Sequence, residues 1–148
     1  MFKHILVPTD GSKLAAKGVK AGIRLAKALG AKVTGVHVTA PYMPMMYGDA
    51  AAYVPGLSPE DYQRYTKKEA SKALAVVERE ARAAGVRCVA QSVTDAQPWH
   101  GILKVARARK CDAIAMASHG RGGLAGVLIG SETGRVLAHS KIPVLVTR

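Results

Sequence analysis

The residues best suited to chemistry lie in one glycine-rich stretch, Met116-Ala117-Ser118-His119-Gly120-Arg121-Gly122-Gly123, which runs on to Gly130-Ser131-Glu132-Thr133. Glycine lets backbone N–H groups approach an anion with no Cβ in the way. Successive N–H groups of this kind can form an anion-binding nest. A helix opening at Gly130-Ser131 would add its free N–H groups and the positive end of its dipole. Ser131 and Thr133 supply hydroxyls and Arg121 supplies charge, so the pattern favours phosphate. The same residues also fit a plain hinge followed by a Ser131-capped helix, and both readings stand at this level. The stretch is not a Walker loop, because it has no GK[ST], and it is not the dinucleotide turn, which follows a first strand. Asp10, in Pro8-Thr9-Asp10-Gly11, is the second candidate. Its carboxylate could accept from an amino or hydroxyl group, or simply make the turn before Gly11.

Other reactive side chains point less clearly to function. His119 could act as a general base, but no orienting partner is evident in the sequence, so no catalytic residue is assigned. Trp99 and His100 read as packing residues at a helix start. Met43, Met45 and Met46 have no cysteine nearby and read as adaptable surface rather than a soft-metal site. Cys88 and Cys111 form no CxxC pair and have no zinc-like company, so no metal ligand set is expected.

These candidates need a scaffold, and the pattern supplies one. Phe2–Val7 reads as a strand that ends in turn residues. A helix over Ser12–Leu29 follows, capped by Ser12 and stopped by Gly30. Val33–Val38 is a second strand. The Pro-, Met- and Tyr-rich segment 40–57 is long for a connection and marks a functional loop. Ser58-Pro59-Glu60-Asp61 opens a helix that runs to about Ala84. Val86–Val93, Pro98–Arg109, Asp112–Ala117, Ser131–His139 and Ile142–Thr147 complete the alternation as strand, helix, strand, helix and strand. Strict alternation predicts a single α/β domain over 1–148, a doubly wound, five-stranded parallel sheet of Rossmann-like type. Ligands in such sheets bind beyond the carboxyl ends of the strands. That rule selects Pro8–Asp10, Val38–Pro41, Val93–Asp95 and Ala117–Gly123.

Composition narrows the partners. The chain has 148 residues, 49% apolar and 22% charged, which suits one globular domain. No signal peptide is read at the N-terminus, and no run reaches the ~18 apolar residues of a membrane span. A cytoplasmic protein without membrane contact is expected. Lys and Arg outnumber Asp and Glu 22 to 10. Lys13, Lys17, Lys20, Arg24 and Lys27 fall on one face of the first helix. With aromatic residues scarce, that face reads as solvated rather than as a nucleic-acid partner's site, and a polyanion-binding first helix stands as the rival reading.

The block MASHGRGGLAGVLIGSETGRVLAHSKIPVLVTR and the opening ILVPTDGS resemble the universal stress protein family. Its ATP-binding members carry G-x2-G-x9-G-[ST] after the fourth strand. Ala117, Gly120, Gly130 and Ser131 match it here, with Ala117 in place of the first glycine. The resemblance implies an adenine nucleotide, ATP or AMP/ADP, with Mg or Mn carried by its phosphates. Asp10 and the backbone of Val38 would line the adenine pocket. Pro8, Thr9, Met116 and Ala117 would lie near base and ribose, and Gly120, Arg121, Gly130, Ser131, Glu132 and Thr133 around the phosphates. It also implies that the third and last strands form the sheet edges. The last strand, Ile142–Thr147, is apolar, and pairing with its own copy would cover its edge, making a homodimer. The expected role is a stress-response regulator read by a protein partner. The rivals are a slow ATPase and a dimeric module that no longer binds nucleotide.

Overall fold

The computed structural model describes residues 1–43, 58–119 and 129–148. Five strands alternate with four helices: β1 His4–Pro8, α1 Lys13–Leu29, β2 Lys32–Thr39, α2 Pro59–Ala84, β3 Cys88–Thr94, α3 Pro98–Ala108, β4 Ala113–Ala117, α4 Ser131–His139 and β5 Val144–Thr147. All pairings are parallel, and the strand order is β3-β2-β1-β4-β5. The expected α/β architecture is present, with β3 and β5 at the edges. Among the described residues, no helix is long and apolar enough to cross a membrane.

The central strands are apolar on both faces because helices cover both. Alternation along β1 and β4 then divides the core in two. Ile5, Val7, Ala113 and Ala115 pack with Val19, Ile23 and Val77 under α1 and α2. Leu6, Ile114 and Met116 pack with Ile102, Val105 and Val136 under α3 and α4. Each fully buried Ile, Leu or Val contributes about 1.5–3 kcal/mol. Gly18 lets α1 lie close on β4, since a Cβ there would stand 2.4 Å from the Ala117 nitrogen.

Local chemistry sets the boundaries. The Ser12 side chain accepts from Ala15 N, and that of Ser58 from Asp61 N. Gly30 and Gly85 stop their helices at φ values of 64° and 70°. Val86 donates its N–H back to Ala81 O, so it completes the helix stop rather than opening β3 as expected. Ile142 likewise lies before β5. Its N–H donates to the Ser140 hydroxyl, which in turn donates to Ile142 O, and the ladder begins when Ile114 N donates to Pro143 O.

Candidate functional site

Strand order reverses between β1 and β4, so the crevice beyond their carboxyl ends is where this topology opens a site. A cavity of about 270 Å³ lies there. The residues assigned to the nucleotide site that fall within the described part all line it: Pro8, Thr9 and Asp10 at the end of β1, Val38 from β2, Met116 and Ala117 from β4, and Gly130, Ser131, Glu132 and Thr133 at the start of α4; of the other strand ends, residues 39–41 and 93–95 do not. Gly120 and Arg121 fall outside the described residues. So does most of the long segment, from residue 44 to 57.

The floor is held by backbone. Thr9 is buried; its N–H donates to Val36 O at 2.9 Å, and its hydroxyl accepts from Gly11 N at 3.1 Å. His37 reaches Thr9 O through Nδ1 at 2.9 Å. One oxygen of Asp10 accepts from Ser12 N at 2.9 Å, so this carboxylate makes the turn and also lines the cavity. Ala117 O accepts from the Thr133 hydroxyl at 3.0 Å, which ties the start of α4 to the end of β4.

The α4 N-terminus differs from those of α1 and α2. Gly130 is the N-cap and offers no side-chain acceptor. The first-turn amides of this helix therefore have no cap from their own N-cap residue, and they sit with the dipole's positive end where α4 meets the cavity. Gly130 itself is held tightly: its N–H donates to Ser118 O at 2.7 Å. A Cβ at Gly130 would meet that same oxygen at 3.2 Å and His119 Cα at 3.3 Å. A side chain at this position would therefore have to push its neighbours aside by a few tenths of an ångström.

Two acids, Asp10 and Glu132, line the cavity, and no Lys or Arg does so among the described residues. Glu132 was expected around phosphates, but its carboxylate is already engaged. One oxygen accepts from Trp99 N at 2.8 Å, and the other from Arg135 at 3.2 Å. The first contact supplies the cap that Gln97 fails to give α3. Glu132 is therefore a brace between α3 and α4.

Four further residues line the cavity that sequence reasoning did not assign to it, Ala15, Val36, Pro98 and Ile102, and His119, which the strand-end rule selects, lines it too. Val36 shares the face of Val38 by the two-residue period of a strand, a signal that could have found it. Pro98 and Ile102 are one helical turn apart on α3, but only the tertiary packing shows that this turn lies against β2 and beside α4 at the cavity. His119 Nδ1 lies 3.1 Å from the Ser118 hydroxyl, while its Nε2 is buried with no hydrogen-bond partner among the described residues.

The cavity therefore has two characters. Val36, Val38, Pro98, Ile102 and Met116 make an apolar slot suited to a flat ring. Gly130–Thr133 make a polar end suited to an anion. Among the described residues, no group of three or more His, Cys, Asp or Glu side chains could hold a metal ion.

Comparison with known proteins agrees with this arrangement. The model of the universal stress protein family matches residues 1–148. Universal stress protein MJ0531 of Methanocaldococcus jannaschii is 30% identical over all of this chain and 83% of its own length. Universal stress protein YxiE of Bacillus subtilis is 31% identical over the whole of both. Among solved structures, UspA from Lactobacillus plantarum superposes with a TM-score of 0.78 at 22% identity, covering 99% of this chain and 98% of its own. A universal stress protein solved in complex with cAMP gives 0.71 at 23% identity, covering 99% of this chain and 97% of its own. One from Arabidopsis thaliana solved with AMP bound gives 0.65 at 16% identity, covering 97% and 90%. Matched along its entire length, this chain belongs to the universal stress protein family.

Proposed function

We propose that this protein binds an adenine nucleotide in the cavity between β1, β4 and α4, and acts as a homodimeric regulator in the cytoplasm whose nucleotide state a protein partner reads. The observation that carries the reading is the α4 start. Its cap has no side chain, and it borders an apolar slot at the switch point of the sheet. Free amides and the helix dipole receive phosphate, and the slot receives the base. Asp10 and the Val38 backbone meet the base. Pro8, Thr9, Met116 and Ala117 flank base and ribose, and Gly120 and Arg121 complete the phosphate end. Relatives solved with cAMP and with AMP support this choice of ligand class.

Mg or Mn would be held mainly by the phosphates. The described cavity offers the oxygens of Asp10 and Glu132 but no three-ligand cluster, which fits a cation carried in with the nucleotide. Dimerisation would use β5, an edge strand whose Leu145 is exposed and whose outer N–H and C=O row can pair with a second copy. Hydrolysis is not part of the reading. His119 is the cavity's imidazole, and its described side-chain neighbour is the Ser118 hydroxyl rather than an orienting carboxylate.

Calorimetric titration of the purified protein with ATP, AMP and cAMP tests the reading. Saturable binding of at least one, lost in Gly130→Val, is expected. No heat and no thermal shift with any of the three would refute it and favour a dimeric module without nucleotide.

A further inference from the structure

The first helix carries a charge pattern that the cavity does not use. Lys13, Lys17, Lys20, Arg24 and Lys27 are all exposed. At 100° per residue they fall within an arc of about 80°. The buried residues of α1, Ala15, Gly18, Val19, Gly22, Ile23 and Ala26, occupy the far side. The stripe is straight and about 21 Å long at 1.5 Å per residue. The helix has no acid, and none of the five cations has an ion-pair partner among the described residues.

Its neighbour in the same layer is built differently. α2 packs beside α1 and mixes its charges. Arg64 pairs with Asp61, Lys72 with Glu69 at 3.0 Å and Arg79 with Glu80 at 3.6 Å. A face needed only for solubility can alternate signs, as α2 does. The α1 face instead places like charges three and four residues apart four times over, which opposes the helix.

We infer that the outer face of α1 is a docking surface for the phosphate backbone of a nucleic-acid duplex. On sequence alone the stripe reads as solvated. The lack of any counter-charge among the described residues and the contrast with α2 change that reading. Charge complementarity selects the occupant. About 21 Å is the axial length of roughly six base pairs, so the stripe can lie across a groove and meet phosphates of both strands. The missing aromatics argue against single strands, whose bases need stacking partners. They do not argue against a duplex gripped by its phosphates, which Lys and Arg contact without reading sequence. A flat anionic membrane fits less well. No large apolar side chain lies in the 80° arc to insert among lipid chains.

The test is fluorescence anisotropy of a labelled, mixed-sequence 20-base-pair DNA duplex with the full-length protein between 25 and 200 mM KCl. The wild type is expected to give a log–log salt slope of about −3 to −4.5, the upper value corresponding to all five cations. Changing Lys13, Lys17, Lys20, Arg24 and Lys27 together to Gln should bring the slope close to zero and weaken binding at 50 mM about 30-fold or more. The control changes Arg64, Lys67, Lys68, Lys72 and Arg79 of α2 to Gln. It removes the same net charge and should leave affinity within about threefold, because it spares the stripe. Gln matches Lys in helix propensity, so both proteins should fold. The single changes Lys20→Gln and Arg24→Gln, each lowering the slope by about 1, give the same answer if they do not. Equal loss in both quintuple variants, a flat salt response in the wild type, or co-sedimentation with vesicles of 30% phosphatidylserine in phosphatidylcholine without duplex binding would each overturn the inference.

Discussion

α1 and α4 both begin just beyond the carboxyl end of a central strand, α1 after β1 and α4 after β4, yet their first turns end differently. Ser12 closes α1 by accepting from Ala15 N at 3.0 Å. Gly130 leaves α4 without a side-chain acceptor. The two helices also carry charge differently. α1 displays five cations to solvent, while the cavity beside α4 is lined by two acids and no cation among the described residues. Attraction for a small anion at α4 therefore comes from backbone amides and a helix dipole, and attraction for a large polyanion at α1 comes from side chains. One fold holds two anion-directed devices on different physics. The first is local and little affected by salt, while the second is long-ranged and screened.

The comparison can be broken by making α4 resemble α1. Gly130→Asp gives α4 its own capping carboxylate and crowds Ser118 O. It is expected to weaken nucleotide binding about 100-fold, or 2.7 kcal/mol, by calorimetry. An unchanged affinity would show that the uncapped start is not the phosphate end. The reverse change, Ser12→Ala, strips the cap from α1. It should lower stability by about 1 kcal/mol in a urea titration, with affinity changed less than about threefold. Glu132→Gln separates brace from charge. Its amide oxygen can still accept from Trp99 N, so folding should hold, and losing one negative charge from the cavity should tighten anion binding by about threefold.

The opposite end of the sheet supplies a contrast in pH dependence. His4 is buried, with Nε2 2.8 Å from the Thr34 hydroxyl. Burial first, then the charge of Lys32, pushes its pKa below the ordinary 6.5. A depressed folded value means the unfolded chain takes up the proton first as acid is added. Stability is then full above about pH 6.5 and declines as pH falls from there toward the folded value. His4→Gln should flatten that decline in chemical denaturation at pH 5 to 7. A decline of the same steepness in the variant would remove His4 as its source.

Much of this was legible in the sequence, for identifiable reasons. The β-prone run Phe2–Val7, the Ser12 and Ser58 caps and the stops at Gly30 and Gly85 are local signals, and the elements they mark are present. The strand-end rule, added to the family resemblance, brought Pro8, Thr9, Asp10 and Ala117 to one crevice, because in a parallel sheet those residues must share an end. What was hidden depends on tertiary proximity. Pro98 and Ile102 join the cavity only because α3 packs on β2 beside α4. Glu132 serves Trp99, 33 residues away, which no sequence spacing announces. Val86 and Ile142 read as strand because they are apolar. A helix-stop hydrogen bond and a serine turn hold them outside the ladder instead.

The central claim concerns a few amides, and they can be watched directly. Amide ¹H–¹⁵N shifts of the assigned protein, followed while AMP is added, should move progressively at Ser131, Glu132 and Thr133, while Asp61, whose amide is already held by Ser58 away from the cavity, moves little. Saturating AMP with these three resonances unmoved, or with shifts confined to the outer face of α1, would contradict the account.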